Sequence, residues 1–290
     1  MHGGLALRRG LLFVGRHART ASVRAYDLDG RAVLRGFTFR DPRLDRSQAG
    51  GLDVDDDGRI WVADTPVSRL RCFTAFGQEV AGLGLSSERS LDDFDERDAP
   101  GLVRRPVDVL VQGDADELQL VVASEGLRRH AVQVFDESSV LLVSLRPLGD
   151  PRERFRDITR LARRGRFLFV VEREAARIQV FRDFEFHFAL RLEREEAQPV
   201  ALRPLADGRL VVGCAGAAPG IHVCDRSGRM LQTLATGGTA EGSIHELQDL
   251  AVEEGPSERE SRVFALDADG DRIQVFTLEG RCYGAFEALG

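Results

Sequence analysis

Asp53, Asp108, Asp157 and Asp249 are far apart in the chain, yet each stands at the head of a short apolar run. Four carboxylates brought to one place would repel each other. They would need a bound cation, main-chain N–H donors, or a retained proton. A hard cation such as calcium would point to metal-assisted hydrolase, lactonase or lyase chemistry. The alternative, which weighs somewhat more, is that each Asp bonds to the main-chain amides of its own neighbourhood. A second acidic set has strict spacing. Asp64, Glu172 and Asp267 each precede an arginine by five residues: Arg69, Arg177 and Arg272. An acid and an arginine on either side of a short loop make a charge-assisted hydrogen bond that locks it, so these pairs read as structural. Two basic clusters, Arg16, His17 and Arg19, then Arg128, Arg129 and His130, fall in loops and could meet an acidic partner.

Other chemistry is poorly supported. The six histidines are scattered without metal-ligand spacing, and no serine sits in a nucleophile elbow. The run Asp92-Asp93-Phe94-Asp95-Glu96-Arg97-Asp98 lacks the glycine and spacing of a calcium loop. Thr236-Gly237-Gly238-Thr239 precedes a strand, so it does not read as a phosphate cradle. Cys72, Cys214, Cys224 and Cys282 are too sparse for a disulfide framework and read as free thiols. The net charge of −7 argues against general binding of nucleic acid or anionic membrane. All 40 basic residues are arginine and there is no asparagine, as a GC-rich genome would produce. The lack of Asn removes a common calcium ligand. The N-terminus lacks a signal-peptide layout, and no apolar run approaches the roughly 20 residues of a membrane span. A cytoplasmic protein is expected.

The elements that must position these residues are repeated. Arg272-Ile273-Gln274-Val275-Phe276 recurs as Arg177-Ile178-Gln179-Val180-Phe181, and more loosely at residues 69–73, 131–135, 22–26 and 220–224. Four residues after each copy comes a turn position: Gly30, Gly77, Ser139, Glu185, Gly228 and Gly280. Glycine there fits a hairpin turn that needs φ > 0. A compact apolar strand precedes each copy, and a further short strand precedes that. Each unit therefore reads as four antiparallel strands. Six units of roughly 48 residues suit a propeller repeat. The expected fold is an all-β, six-bladed β-propeller in one domain, with blades near 1–40, 48–86, 104–147, 155–193, 197–236 and 246–288. The segment 86–106 reads as a long acidic inter-blade loop with a helical turn.

The units resemble NHL repeats. Blade 2 carries the fullest match, Gly51-Leu52-Asp53-Val54-Asp55-Asp56-Asp57-Gly58 through Val62-Ala63-Asp64 to Arg69–Phe73. The resemblance implies a propeller used as a scaffold, as a peptide or RNA binder, or as an enzyme. With the whole chain given to the ring, the favoured function is a non-catalytic module that binds another protein or a peptide through upper-face loops, without a cofactor. The alternative is a calcium-dependent hydrolase of the gluconolactonase kind, with calcium at the channel mouth. Single-stranded RNA binding needs a basic, aromatic-studded face, and the sole tryptophan, Trp61, falls inside a strand.

Overall fold

The computed structural model describes residues 3–17, 20–42, 46–84, 99–113, 117–194, 196–217, 219–267 and 272–287. They form six four-stranded antiparallel sheets, each from four consecutive strands. The sheets occupy 4–39, 52–84, 106–144, 158–190, 197–236 and 247–287. They are blades 1 to 6 of a six-bladed β-propeller. The innermost strands are Gly4–Arg8, Leu52–Val54, Pro106–Gln112, Ile158–Arg164, Ala197–Pro204 and Leu247–Glu253. Each lies beside the next in cyclic order, with the sixth beside the first. The face where these strands begin is called upper here; the opposite face is lower.

Every blade is apolar on both sides because it packs against two neighbours. The result is six clusters, one per interface. Trp61, Leu70, Leu120 and Phe135 fill the joint of blades 2 and 3. Val211, Ile221, Val263 and Phe276 fill that of blades 5 and 6. The aromatic ending each repeat motif is buried in five blades: Tyr26, Phe73, Phe135, Phe181 and Phe276. Each such ring contributes about 1.5–3 kcal/mol of transfer free energy. Cys224 takes that place in blade 5 and is buried, and burial pushes its thiol up to about 12. The four cysteines are free.

The turns follow from glycine at φ > 0, with Gly30, Gly77, Gly228 and Gly280 between +82° and +88°. Ser139 adopts φ 70° in the same place. Blade 4 departs from the expected offset. Its outer hairpin turns on Asp183 and Phe184, at φ 50° and 67°, and Glu185 already opens the outer strand. Two consecutive positive φ values make the tight primed turn that matches strand twist. Most of the acidic segment expected over 86–106 lies outside the described residues. Among the described residues, no helix is long and apolar enough to cross a membrane.

No described strand from one end of the chain completes the blade at the other. The ring is therefore closed between blades 6 and 1 by packing and polar contacts alone. Tyr26 meets Phe286 at 5.5 Å between ring centroids. Arg262 Nη1 donates to the Leu28 carbonyl at 2.8 Å.

Candidate functional site

The acid that ends the second strand of blades 2, 4 and 6 is buried: Asp64, Glu172 and Asp267. Each holds the chain segment entering its own blade. Glu172 accepts from the Arg156 N–H at 2.7 Å, and Asp267 accepts from His245 and Glu246 at 2.9 and 2.7 Å. Asp64 accepts from Gln48 at 2.8 Å. Arg177 grips Glu172 with two bonds, 2.6 and 3.0 Å, and Arg272 reaches Asp267 at 2.5 Å. Blade 2 corrects the expected pairing of Asp64 with Arg69. Asp64 faces Arg71 at 3.3 Å, and Arg69 lies 3.7 Å from Glu79. The reason is the third position of the repeat motif, which points at the acid in all three blades. Gln179 and Gln274 donate to the acid there, at 2.7 and 3.1 Å. In blade 2 that position is a guanidinium and displaces the first-position arginine. Glu172→Ala would leave Arg177, Gln179 and the Arg156 N–H without their acceptor. We expect a loss of about 3 kcal/mol, read from the midpoint of urea unfolding; a loss below about 1 kcal/mol would mean the cluster is incidental.

The aspartate ring is not a ring of equivalent positions. Asp108 pairs with Ala123 and Asp249 with Leu266, which are the same place in their blades. Asp53 pairs with Trp61, two residues nearer the lower face. Blade 2 has Gly51 at the equivalent place, where a Cβ would lie 1.8 Å from Asp108 Oδ1. The small residue makes room for the neighbouring blade's carboxylate. Asp157 lies outside the inner strand at φ 51° and pairs with Arg173 at 2.8 Å on the upper surface. Its expected place is filled by Arg160, opposite Val171; the bulge just before that position recurs in blades 3, 5 and 6, and Asp157 stands three residues ahead of it.

Three of the four aspartates thus reach the channel, and each pins one blade to the next. Asp53 Oδ2 accepts from Val111 N–H at 2.8 Å, Asp108 Oδ2 from Leu161 at 2.7 Å, and Asp249 Oδ2 from Leu5 at 2.9 Å. Asp53 Oδ1 and Asp249 Oδ1 also accept from their own following residues, Val54 and Leu250. The sequence did not point to the two arginines among them. Arg203 of blade 5 donates to Asp249 Oδ1 at 2.9 Å and to the Leu5 carbonyl at 3.3 Å. Arg160 of blade 4, only 1% exposed, crosses the channel and donates to the carbonyls of Thr159 and Gly3. Its Nε stands 3.0 Å from Asp249 Oδ2, an ion contact off the hydrogen-bond line. Burial outweighs these partners for two of the acids. Asp53 is pushed up to about 6. Asp108, near both Arg160 and Asp249, is pushed up to about 7.

These residues do not make a calcium donor set. Calcium takes six to eight oxygens, whereas the carboxylates here already accept main-chain N–H bonds and a guanidinium stands among them. No group of three or more acidic, His or Cys residues among the described residues could hold a metal.

The two loop clusters belong to blades 1 and 3, with blade 2 between them. Arg16 ends up half-buried in a strand, and Arg19 lies outside the described residues, as does the His17 side chain. His130 Nδ1 meets Ser144 Oγ at 2.8 Å, and Arg129 sits beside it. Arg128 helps line an upper-face groove of about 480 Å³ between blades 3 and 4, floored by Leu127, Ala131, Phe155 and Ile158.

The NHL repeat family matches residues 47–73, the whole of the blade 2 motif. The chain is a six-bladed β-propeller whose second blade carries an NHL repeat. None of the curated proteins compared by sequence matches it. Among solved structures, this propeller is similar to virginiamycin B lyase from Staphylococcus aureus, with TM-score 0.61 and 11% identity over 98% of this chain and 83% of that one. It is also similar to a gluconolactonase from Xanthomonas campestris, with TM-score 0.62 and 15% identity over 95% and 86%. The WD40 propeller domain of Doa1 follows, at TM-score 0.55 and 10% identity over 99% and 78%. At these identities the likeness is one of fold.

Proposed function

We propose that this propeller is a non-catalytic binding module that offers its upper face to another protein or a peptide. One observation carries the reading: Arg160 spans the upper channel and lies against Asp249, so the carboxylates there serve as ties between blades. A hydrolase of the gluconolactonase kind would need those oxygens turned toward a cation. The open concavity on the same face is the groove between blades 3 and 4, built from loops on a rigid ring. Recognition usually sits on such loops.

The test is thermal unfolding in EDTA, then with calcium added. A ligand bound only by the folded state, at a hundred times its Kd, stabilises by about 2.7 kcal/mol. We expect the two curves to coincide. A rise of several degrees with calcium, abolished by Asp249→Asn, would instead favour the metal-dependent hydrolase.

A further inference from the structure

Below the Arg160 bridge the channel widens into a cavity of about 390 Å³ that opens on the lower face. Its size falls in the range of small-molecule sites. Leu5, Leu7, Leu110, Val111, Leu161 and Val252 supply much of its wall. Charged groups enter at two depths. Asp53, Asp108 and Arg203 lie at the inner end, and Arg8 and Arg163 at the lower end.

The arginines around this opening are matched with one exception. Arg8 bonds Asp56 at 2.5 Å, Arg203 bonds Asp249, and Arg164 bonds Glu254. Arg163 forms no ion pair and no hydrogen bond among the described residues, although it lines the cavity. Burial alone acts on it and lowers its proton affinity. An arginine is always charged, so a partly desolvated one without a partner is an open site for an anion.

The charge balance limits what that anion can be. Arg160 and Arg203 share the single carboxylate of Asp249. Asp53 and Asp108 face the same space. A dianion would meet carboxyl groups on the inner side with one free guanidinium on the outer, whereas a monoanion needs only Arg163. The apolar wall favours an aliphatic body behind the charged head.

We propose that the lower end of the channel is a binding site for a small aliphatic monocarboxylate, with Arg163 holding the carboxylate and the Leu and Val side chains holding the chain. Neither the upper-face groove nor the partner reading is needed for it.

Hexanoate is a suitable probe, with hexanamide and hexylamine as neutral and cationic controls. Binding is followed by saturation-transfer NMR and calorimetry on the full chain. The expected result is that hexanoate binds and both controls do not. Arg163→Ala should weaken hexanoate at least about tenfold, as loss of a charge-assisted pair of roughly 1.5–3 kcal/mol implies. Because Arg163 is exposed at the rim, this variant should unfold at the wild-type temperature. Hexanoate should also bind more tightly below pH 6 than at pH 8, since Asp53 then carries a proton. Arg8, Arg160, Arg203 and Asp249 keep their ion pairs, and Asp108 shifts in the same direction as Asp53. Asp53→Asn should reduce that pH dependence. Equal hexanoate affinity in wild type and Arg163→Ala, equal binding of hexanamide, or no binding by any probe would each overturn the proposal.

Discussion

Arg160→Met should lower the stability of the propeller by about 3–5 kcal/mol, the cost of breaking a buried ion pair from one side. Arg160 ties blade 4 to Asp249 of blade 6 and to the Gly3 carbonyl of blade 1. Among the described residues blades 6 and 1 exchange no strand, so this arginine acts at a joint made by side chains. Met fills similar apolar volume but leaves Asp249 with Arg203 as its one cation. For a domain of this size the drop in Tm is roughly 5–8 °C. Adding Asp249→Asn should recover part of the loss, because the buried negative charge goes with its partner and the amide oxygen can still accept from Leu5. Urea unfolding of the two single variants and the double variant gives the coupling energy. A loss under about 1 kcal/mol for Arg160→Met would show that the bridge is not needed for closure.

The second large effect is on pH dependence. Asp53 and Asp108 are raised from the ordinary carboxylate value of 3.8 to about 6 and about 7. Burial is the main cause, and the nearby Asp249 adds to it for Asp108. Between pH 4 and 7 the folded chain therefore holds more protons than the unfolded chain. Stability falls as pH rises through this window and levels off above the folded values. At about 1.4 kcal/mol per pKa unit, Asp53 contributes on the order of 3 kcal/mol and Asp108 on the order of 4 kcal/mol. Asp207 acts in the opposite direction, being lowered by its bonds to Arg209, so its contribution is lost as pH falls below the carboxylate range. The expected profile peaks near pH 4 to 5 and declines toward pH 8. Asp53→Asn should flatten the decline by about half, since the amide keeps an acceptor for Val111 and removes the titration. A profile that rises from pH 5 to 8 would refute the raised values. In Arg160→Met the decline should steepen, because Arg160 is the strongest charge favouring ionised Asp108.

The fold was legible in the chain because its signals are local. A compact apolar strand and a five-residue motif recur six times, with a hairpin glycine after four of the copies, and each works within a few residues of itself. The acid–arginine spacing was legible for the same reason: Glu172 with Arg177 and Asp267 with Arg272 face each other across a short loop in adjacent strands. Even there Arg71 displaced Arg69, because a charge at the third motif position outcompetes its neighbour in a way spacing does not express.

The channel was decided by tertiary structure. An apolar run with an Asp at its head does not reveal whether that Asp lies inside the strand, as Asp108 does, or before it, as Asp157 does. Arg160 takes in blade 4 the position that Asp108 and Asp249 take in blades 3 and 6, three residues beyond Asp157. Its partners, Asp249 and Gly3, come from blades at the two ends of the chain. Only closure of the ring brings them together, and only there does burial raise Asp53 and Asp108 above the ordinary carboxylate range. The sequence by itself determined the blades, their turns and the anchors of the inter-blade segments, since hydrophobic periodicity and backbone sterics act over short spans. Tertiary structure decided which charged side chains share the axis and which arginine of the lower cavity has no ion pair among the described residues, since both depend on register and on contacts between residues remote in the chain.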